Sequence, residues 1–250
     1  MRLPNRRILV TGAASGIGAA VSEMLRAEGA RVGMLDRQDA GLRETAERIG
    51  AGAFPFLADV AGEAVVQQAV GAAVQALGAL DGVVNCAGID LLRPFAEMTA
   101  ADWRRIMAID LDGPFHVCRA ALPALRRAGA GTIVNIASAA GLRPLEHRTA
   151  CCSAKAALVI FSKALAVDLA ADNIRVNAIC PGIIDTPLFH SSFEAALDPD
   201  AALRAITDRY LIKRPGHPEE VAAMALFLTG TESGYMTGSA IAVDGGRSFH

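Results

Sequence analysis

Three glycines and one aspartate near the N-terminus have the types and spacing needed to hold a dinucleotide. Gly12, Gly16 and Gly18 follow an apolar run, and Asp36 ends the next apolar run. Glycines at such positions allow a tight turn, a close approach of the backbone to a phosphate, and close packing of a helix on a strand. A helix starting near Gly16 would point free N–H groups at a pyrophosphate, and Asp36 could accept hydrogen bonds from ribose hydroxyls. A tight turn without a ligand is the alternative, which the flanking strands, helix and acid disfavour.

The elements that would position these residues alternate along almost the whole chain. Apolar runs of strand length are followed by longer helical runs, a pattern typical of a parallel sheet covered by helices on both faces. It predicts an α/β fold, a single-domain Rossmann-like doubly wound parallel sheet of seven strands. The predicted strands are 8–11, 31–36, 53–57, 81–85, 131–137, 174–180 and 239–243, and the predicted helices are about 19–28, 40–49, 62–77, 100–127, 153–171 and 218–228.

The alternation is lost between about residues 185 and 214. This stretch is longer than most loops in compact domains, and long ordered loops of this kind are often lids or binding loops. It follows the apolar strand that ends at Cys180 and the turn Pro181-Gly182. Because ligands of open α/β sheets bind beyond the carboxyl ends of the strands, we expect a lid over a substrate pocket. A solvated excursion without a role is the alternative.

Composition bounds the remaining possibilities. The chain has 250 residues, of which 52% are apolar, enough for one domain spanning residues 1–250 with a sizeable core. A net charge of −2 gives no reason to expect nucleic acid or an anionic membrane as partner. No apolar run in the sequence suggests a membrane span of about 20 residues. Five cysteines without a CxxC spacing predict neither a disulfide framework nor a metal site, and favour a cytoplasmic location.

The glycine turn also carries a resemblance to a known family. Thr11 followed by Gly-x-x-x-Gly-x-Gly resembles the first turn of the short-chain dehydrogenase/reductase family. Further matching segments are Asp59-Val60, Asn85-Cys86-Ala87-Gly88, Pro181-Gly182 with Thr186, Tyr235-Met236-Thr237-Gly238 and Val243-Asp244-Gly245-Gly246. The resemblance runs from about Arg7 to Gly246, with Cys86 standing where the family has a second Asn.

The resemblance implies NAD as the cofactor. Asp36 would repel the 2′-phosphate of NADP, and the turn offers no cation to hold one, although Arg37 follows directly. The implied cofactor-binding residues are Gly12, Ser15, Gly16, Ile17, Gly18, Asp36, Asp59, Val60, Asn85, Ala87, Gly88, Lys155, Pro181, Gly182, Ile184 and Thr186.

The same resemblance implies where the chemistry takes place. Members of the family use a Tyr as acid/base, a Lys four residues later, a Ser at the end of the preceding strand, and an Asn on an earlier helix. Ser138 and Lys155 match two of these positions. Cys151 occupies the Tyr position and Asp110 occupies the Asn position, so the four implied catalytic residues form an atypical site.

Cys151 leaves several interpretations open. Its spacing from Lys155 places both residues on one face of a helix. A thiol with a pKa of about 8.5, lowered further by the ammonium, would be acidic enough for proton transfer. However, Sγ ends short of where a phenolic oxygen would lie, and the only tyrosines, Tyr210 and Tyr235, are far away in the sequence. Cys151 is therefore either an acid/base acting through a deeper substrate or a water, or a small apolar filler.

The loop between Ser138 and Cys151 is unusually rich in charge. It contains Arg143, Glu146, His147 and Arg148 and should border the substrate pocket. Histidine titrates near neutral pH and could replace the missing acid/base, although a solvated histidine is the simpler interpretation. The arginines could bind an acidic substrate bidentately or form salt bridges at a subunit interface.

The leading hypothesis is an NAD-dependent oxidoreductase that transfers hydride between the nicotinamide and a small secondary alcohol or ketone. One alternative is a pseudo-enzyme that binds NAD without hydride transfer. Another is a non-redox enzyme in which Cys151 and Lys155 support addition or elimination. The resemblance also implies a homodimer or homotetramer formed through the helices around 100–127 and 153–171, the second of which is apolar on more than one face.

Overall fold

A single parallel sheet organises the molecule. The computed structural model describes residues 1–194 and 197–249. Its strands are β1 (Arg7–Thr11), β2 (Arg31–Asp36), β3 (Ala53–Leu57), β4 (Gly82–Asn85), β5 (Gly131–Ile136), β6 (Ile174–Pro181) and β7 (Ala240–Val243). They form one sheet in the order β3-β2-β1-β4-β5-β6-β7, with every neighbouring pair parallel. The predicted fold class is confirmed, including the seven strands.

Helices cover both faces of the sheet. They are α1 (Gly16–Ala27), α2 (Asp39–Ile49), α3 (Glu63–Leu77), α4 (Ala100–Met107), α5 (Gly113–Arg127), α6 (Thr149–Asp168), α7 (Pro187–His190), α8 (Pro199–Thr207) and α9 (Pro218–Thr229). Buried side chains of α1, α2 and α9 form the core on one face, and those of α3, α5 and α6 form it on the other. The strand order reverses between β1 and β4, so a crevice opens there at the carboxyl ends of the strands.

Two predicted helix boundaries were wrong in ways that matter for the site. The helix α6 begins at Thr149, not at Ser153, so Cys151 lies in its first turn. The predicted helix 100–127 is interrupted by a π-helical segment, Ala108–Asp112, between α4 and α5. Pro114 has no N–H to donate to the carbonyl of Asp110 four residues earlier, which weakens the regular hydrogen-bond ladder there.

The predicted lid is partly helical. Residues 185–214 contain the short helices α7 and α8, which the loss of alternation did not indicate. Within this segment, residues 195 and 196 lie outside the described part of the chain, as does residue 250 of the predicted 1–250 domain.

One helix departs from the expectation that no segment is long and apolar enough to span a membrane. The helix α6 has 20 residues, and an 18-residue window within it has a mean hydropathy of 1.6, so it passes that test by length and composition. The core helix of a protein without membrane spans passes the same test. Here, Ala154, Leu158 and Ala166 of α6 are buried, and the helix packs against β6 and β5.

Candidate active site

The turn after β1 requires its glycines for steric reasons. Gly12 has φ +67°, and a Cβ there would lie 2.7 Å from the backbone nitrogen of Ala87. A Cβ on Gly18 would lie 2.1 Å from the carbonyl oxygen of Gly12, so α1 can pack this closely on the turn only with glycine. Gly16 has φ +54°, which favours glycine.

The start of α1 is free to hold an anion. The side chain of Ser15, the residue before the helix, makes no capping hydrogen bond to it. The first N–H groups of this 12-residue helix therefore remain available, and they lie beside the glycine turn. This arrangement fits the pyrophosphate of a dinucleotide.

Thr11 ties two strand ends together beneath this turn. Its Oγ1 accepts hydrogen bonds from the backbone N–H groups of Cys86 and Ala87, each at 3.1 Å. Thr11 is almost completely buried. The turn after β1 and the turn after β4 therefore keep a fixed relation across the crevice.

Asp36 is held in place by backbone donors at the end of β2. One carboxylate oxygen accepts the N–H of Ala14 at 3.0 Å, and the other accepts the N–H of Gln38 at 2.9 Å. Asp59, at the end of the neighbouring strand, accepts the N–H of Ala61 in a similar way. Both acids border the same cleft, in which an adenosine ribose could lie against Asp36.

The predicted cofactor residues divide between two adjoining cavities. The first, of about 370 Å³, is lined by Gly12, Ser15, Gly16, Ile17, Gly18, Asp36, Asp59, Val60, Ala87, Gly88 and Thr186, among others. The second, of about 230 Å³, is lined by Lys155, Pro181, Gly182 and Ile184, and shares Ile17, Gly88 and Thr186 with the first. Of the predicted cofactor residues, Asn85 lines neither cavity.

Asn85 instead belongs to a buried polar chain beneath the site. Its amide nitrogen donates to Asn135 at 2.8 Å, and Asn135 donates to Ser162, whose hydroxyl donates to the carbonyl of Leu158. The prediction that Asn85 contacts the cofactor therefore gains no support from its side chain. The hydrogen bonds link β4 to β5 and β5 to α6, the helix that carries Lys155.

All four predicted catalytic residues line the second cavity. Ser138 follows β5, and its Oγ accepts the N–H of Ala140 at 3.0 Å, which orients the hydroxyl. Lys155 and Cys151 come from α6, and Asp110 comes from the π-helical segment. Three separate parts of the chain therefore meet at one point, as the motif spacing indicated.

Lys155 and Asp110 form a charged pair at the base of this cavity. The Lys155 ammonium donates to the carbonyl of Ile136 at 3.1 Å and lies 3.8 Å from Oδ2 of Asp110. Asp110 is fully buried; its Oδ1 accepts the N–H of Ile89, while Oδ2 has no hydrogen-bond partner. Burial raises the pKa of the Asp110 carboxyl, and the charge of Lys155 opposes that shift. A Cβ on Gly88 would lie 3.2 Å from the ammonium, so glycine there leaves Lys155 open to the cavity.

Cys151 does not have the acidic thiol expected from its lysine neighbour. Its Sγ accepts the N–H of Leu91 at 3.2 Å and lies 3.8 Å from the carbonyl oxygen of the same residue. Burial raises the pKa of Cys151 to about 12, and the nearby Asp90 carboxylate raises it further. The expected direction of the shift was wrong, because desolvation by burial and the nearby carboxylates favour the neutral thiol. The thiol is neutral at physiological pH.

Comparison with known proteins places the chain in a family. A family model described as Enoyl-(Acyl carrier protein) reductase matches residues 12–248. The chain is 38% identical over 252 residues to 2-(S)-hydroxypropyl-CoM dehydrogenase 3 of Xanthobacter autotrophicus (strain ATCC BAA-1158 / Py2), covering 99% of this chain and 98% of that protein. It belongs to the short-chain dehydrogenase/reductase family.

Solved structures of family members agree with the fold. Levodione reductase superposes with a TM-score of 0.95 at 31% identity, covering 99% of each chain. A variant of actinorhodin polyketide ketoreductase with NADPH also gives a TM-score of 0.95, at 34% identity over 100% of both chains. The chain is thus an oxidoreductase of a family that binds a nicotinamide cofactor.

Only some of the charged residues in the loop after Ser138 line the second cavity. Arg143 and Arg148 line the second cavity, and Arg148 pairs with Asp90 at 2.8 Å. His147 is exposed and lies 3.4 Å from Glu146, and neither residue lines the cavity. The hypothesis that His147 replaces the family's tyrosine as acid/base therefore has no geometric support.

The structure also brings residues to the site that their sequence positions did not reveal. Tyr210, far from Cys151 in the chain, is buried and lines the same cavity, with its ring edge against Gly182. Arg209 and Arg247 line it as well. None of these residues forms a motif with Ser138 or Lys155. Arg209 and Tyr210 lie in the long connection before α9, whereas no signal in the sequence pointed to Arg247, which follows β7.

The segment proposed as a lid does border both cavities. Thr186 and Leu188 line both of them, while Phe189, Ile206 and Tyr210 line the second. The end of the segment is tied down, since the N–H groups of Leu211 and Ile212 both donate to the carbonyl of Gly245. Within the described ranges 1–194 and 197–249, no group of three or more His, Cys, Asp or Glu side chains could hold a metal ion.

Proposed function

We propose that the protein is an NAD(H)-dependent oxidoreductase that interconverts a small secondary alcohol and its ketone through an atypical active site. The observation that carries this proposal is the continuity of the two cavities. Ile17, Gly88 and Thr186 line both, so a dinucleotide held at the glycine turn would extend towards Ser138 and Lys155. The Xanthobacter relative is a hydroxypropyl-CoM dehydrogenase, which supports an alcohol as the substrate class.

The proposed preference for NAD rests on Asp36. Its carboxylate is fixed by Ala14 and Gln38 on the rim of the first cavity, where a 2′-phosphate would have to lie close to it. Two like charges at short range repel each other, whereas ribose hydroxyls can donate to the same oxygens. The neighbouring Arg37 also lines this cavity and is the one group that would weaken the discrimination.

The side chains around the second cavity can support the chemistry that a bound nicotinamide supplies, namely the gain or loss of a hydride. The Ser138 hydroxyl is oriented to donate to a substrate oxygen. The Lys155 ammonium stabilises negative charge that develops on that oxygen, as positioned charges do in enclosed sites. Asp110 holds the ammonium in place, at 3.8 Å, and balances its charge.

The proposed site has no strong candidate, among its described residues, for the group that exchanges a proton with the substrate. The pKa of Cys151 is raised to about 12 by burial, so its thiol is a poor acid and its thiolate is scarce at neutral pH. A non-redox enzyme with a Cys151 thiolate nucleophile has correspondingly little support. A protein that binds NAD without hydride transfer is the second candidate, and the raised pKa of Cys151, at the predicted tyrosine position, is the observation that favours it.

A substrate screen distinguishes the two candidates. The protein would be incubated with NAD and a panel of secondary alcohols, or with NADH and ketones, and followed by NADH absorbance. We expect turnover that is lost in Lys155→Met and Ser138→Ala but retained in a distant variant such as Arg43→Met. NAD binding by calorimetry, without turnover of any alcohol or ketone, would instead favour the binding protein.

We also propose that the protein forms a homodimer or homotetramer through α5 and α6. Phe115 of α5 is 42% exposed, and Ile160 and Val167 of α6 are 62% and 77% exposed. The last two are one heptad apart and lie on the same side of the helix, as residues in a helix-pairing interface do. Light scattering at micromolar concentration should give at least twice the 26.0 kDa chain mass, and Ile160→Glu with Val167→Glu should reduce it. A wild-type mass of one chain contradicts this arrangement.

A further inference from the structure

Arg247 is a buried cation without a hydrogen-bond or ion-pair partner for its guanidinium among residues 1–194 and 197–249. It is 8% exposed, follows β7, and lines the cavity that contains Ser138 and Lys155. Its Nε is buried and has no hydrogen-bond partner within residues 1–194 and 197–249, and its guanidinium forms no ion pair with a described acid. Burial of a charge without compensation is unfavourable, so an unpaired guanidinium facing a cavity indicates a missing anion.

Neighbouring groups do not satisfy this guanidinium. The nearest acid in the sequence, Asp244, uses its two carboxylate oxygens to accept the backbone N–H groups of Gly246 and Ser248, at 3.0 and 2.8 Å. A comparison with Arg175 shows what a structural arginine does in this fold. Its guanidinium, also partly buried, donates to the carbonyls of Leu228, Gly230 and Met236. Arg247 makes no equivalent contact with the described residues.

Arg247 belongs to an arginine cluster, which we define as Arg143, Arg209 and Arg247. Arg143 donates only to the backbone carbonyl of Arg247, at 3.4 Å, and Arg209 has no acidic partner in the described chain. The two acids that line the cavity are engaged elsewhere: Asp90 pairs with Arg148, and Asp110 lies beside Lys155. None of the three arginines therefore has an acidic partner among the described residues; Arg143 and Arg209 are exposed to solvent, whereas Arg247 is buried.

The arginine cluster comes from three separate parts of the chain. Arg143 lies after β5, Arg209 after α8, and Arg247 after β7. Three arginines of like charge line one cavity, and an anion bound there would relieve their mutual repulsion. Guanidinium groups suit this role because their planar donors match the oxygens of carboxylate, sulfonate and phosphate groups.

We propose that the arginine cluster binds the anionic group of the substrate. This inference deepens the proposed function and rests on it: the substrate would be a small molecule with a secondary alcohol or ketone at the Ser138 end and a carboxylate, sulfonate or phosphate at the Arg247 end. The cavity volume of about 230 Å³ accommodates a small organic molecule of this kind. Leu145, Ile183 and Ile206 also line it, so the part of the substrate between the two ends meets apolar side chains.

Matched substrate pairs test the charge requirement. The probes are 3-hydroxybutyrate against its neutral methyl ester, and 2-hydroxypropane-1-sulfonate and 2-hydroxypropyl phosphate against 2-butanol. With NAD present, we expect kcat/KM at least tenfold higher for an anionic probe than for its neutral partner. The carboxylate, sulfonate and phosphate arms identify which anion is preferred. Equal or better turnover of the neutral compounds would overturn the inference.

Substitutions in the arginine cluster assign the effect to its residues. In Arg247→Met and Arg209→Met, KM for the anionic probe should rise at least tenfold, and by a larger factor than KM for the neutral probe. Arg209 is exposed, so the Arg209 variant should fold and give a KM for the anionic probe even if the substitution of the buried Arg247 disturbs the fold. Arg43→Met, which removes the same charge from a distant surface helix, should leave both constants unchanged. Equal losses for charged and neutral probes in the Arg209 variant would contradict the assignment.

Two measurements remain informative even if no alcohol is oxidised. Calorimetry with butyrate, propanesulfonate or inorganic phosphate, without NAD, should detect binding that is lost in Arg247→Met. Thermal melting without these anions should show that Arg247→Met is at least as stable as the wild type, because it removes a buried unpaired charge. A lower melting temperature would show instead that Arg247 pairs within the folded protein or its oligomer. Anion binding without turnover would support the proposed role of the arginine cluster and would contradict only the proposed oxidoreductase activity.

Discussion

The two sides of the crevice hold their ligands by different means. On the nucleotide side, the positions that matter are backbone positions: glycines at the turn after β1, the N–H groups of α1, and an aspartate fixed by amides. On the substrate side, the positions that matter are side chains brought from the ends of β5, β6 and β7 and from α6. Positions that act through the backbone, such as the glycines of the turn, tolerate few substitutions. Positions that act through side chains can be substituted one at a time.

The departures from the family pattern are concentrated accordingly. Cys151 and Asp110, which the sequence predicts to stand at the family's Tyr and Asn positions, line the substrate side, where the arginine cluster also lies. On the nucleotide side, Cys86 replaces an Asn but its backbone N–H still donates to Thr11. A common cofactor thus constrains one side of the crevice, while the other side has room to change its substrate.

The largest expected effect comes from restoring the family's residue on the substrate side. Cys151→Tyr should raise oxidoreductase activity, because a phenol would extend from α6 into the cavity beside Ser138 and Lys155. General acid/base catalysis typically contributes about 10²–10⁴-fold, and the neutral thiol supplies little of it. The measurement is kcat/KM for the best alcohol from the screen, by NADH absorbance.

Cys151→Phe is the matched control for this substitution, since it adds the ring without the hydroxyl. Cys151 packs against Ile106, Ala150 and Ala154, so both rings carry the same risk of overpacking. If Tyr gives no more activity than Phe, the substrate side no longer has the geometry of the family. If Cys151→Tyr abolishes an existing activity, the thiol itself takes part in it.

The sequence predicted the fold and most of the nucleotide side because both depend on local patterns. Strand β2 and strand β3 have the predicted bounds, since each is a short apolar run limited by a turn. The glycine turn could be recognised because a Cβ at Gly12 or Gly18 would collide with backbone. These are requirements on single positions or short spacings, which a sequence displays directly.

On the substrate side, the sequence predicted only the cavity residues that belong to a recognisable motif. Ser138 and Lys155 were found through such spacings, but Arg247 and Tyr210 reach the cavity through the tertiary path of the chain. The direction of the Cys151 pKa shift was missed because it depends on burial, and helix spacing shows only the neighbouring charge. His147 was proposed as an acid/base because the sequence does not display its exposure, which the structure shows at a residue with φ +58°.

A second prediction tests whether the nucleotide side discriminates by charge. Asp36→Asn should reduce the preference for NAD over NADP by roughly tenfold or more, since charges about 4 Å apart repel by about 1–4 kcal/mol. The substituted amide oxygen can still accept the N–H of Ala14. Affinities for both cofactors would be measured by fluorescence titration. Asp39→Asn, an exposed acid at the start of α2, is the control. Tighter binding of NADP than NAD by the wild type would refute the role of Asp36.

A third prediction concerns stability on the substrate side. Asp244→Ala removes the acceptor of two N–H groups in the turn after β7, where the side chain is only 7% exposed. Leaving such donors unsatisfied costs about 1–3 kcal/mol, so the free energy of unfolding in urea should fall by that amount. NAD affinity per folded molecule should stay nearly unchanged. Loss of NAD binding in a fully folded Asp244→Ala would show that the two sides are not separable.

The smallest expected effect is a pH dependence of the lid. His190, in α7, lies 2.6 Å from Asp185 and 3.1 Å from Glu194, and the pKa of its imidazole is raised, first by the hydrogen bond to Asp185 and then by that to Glu194. A raised folded-state pKa means that the protonated form stabilises the folded segment. The contribution is full below the ordinary value of 6.5 and is lost as the pH rises through the higher folded value.

Hydrogen exchange of the amides of residues 186–194 measures this effect, with His190→Gln as a reference that corrects for the intrinsic pH dependence of exchange. Relative to that variant, protection in the wild type should be greater at pH 6, and the difference between the two proteins should shrink as the pH rises. All three side chains are largely exposed, so solvent screening keeps the difference small. Because Thr186 and Leu188 line both cavities, the same loosening should speed cofactor release slightly at high pH. Protection that increases with pH would show that neutral His190, not the imidazolium, holds the segment.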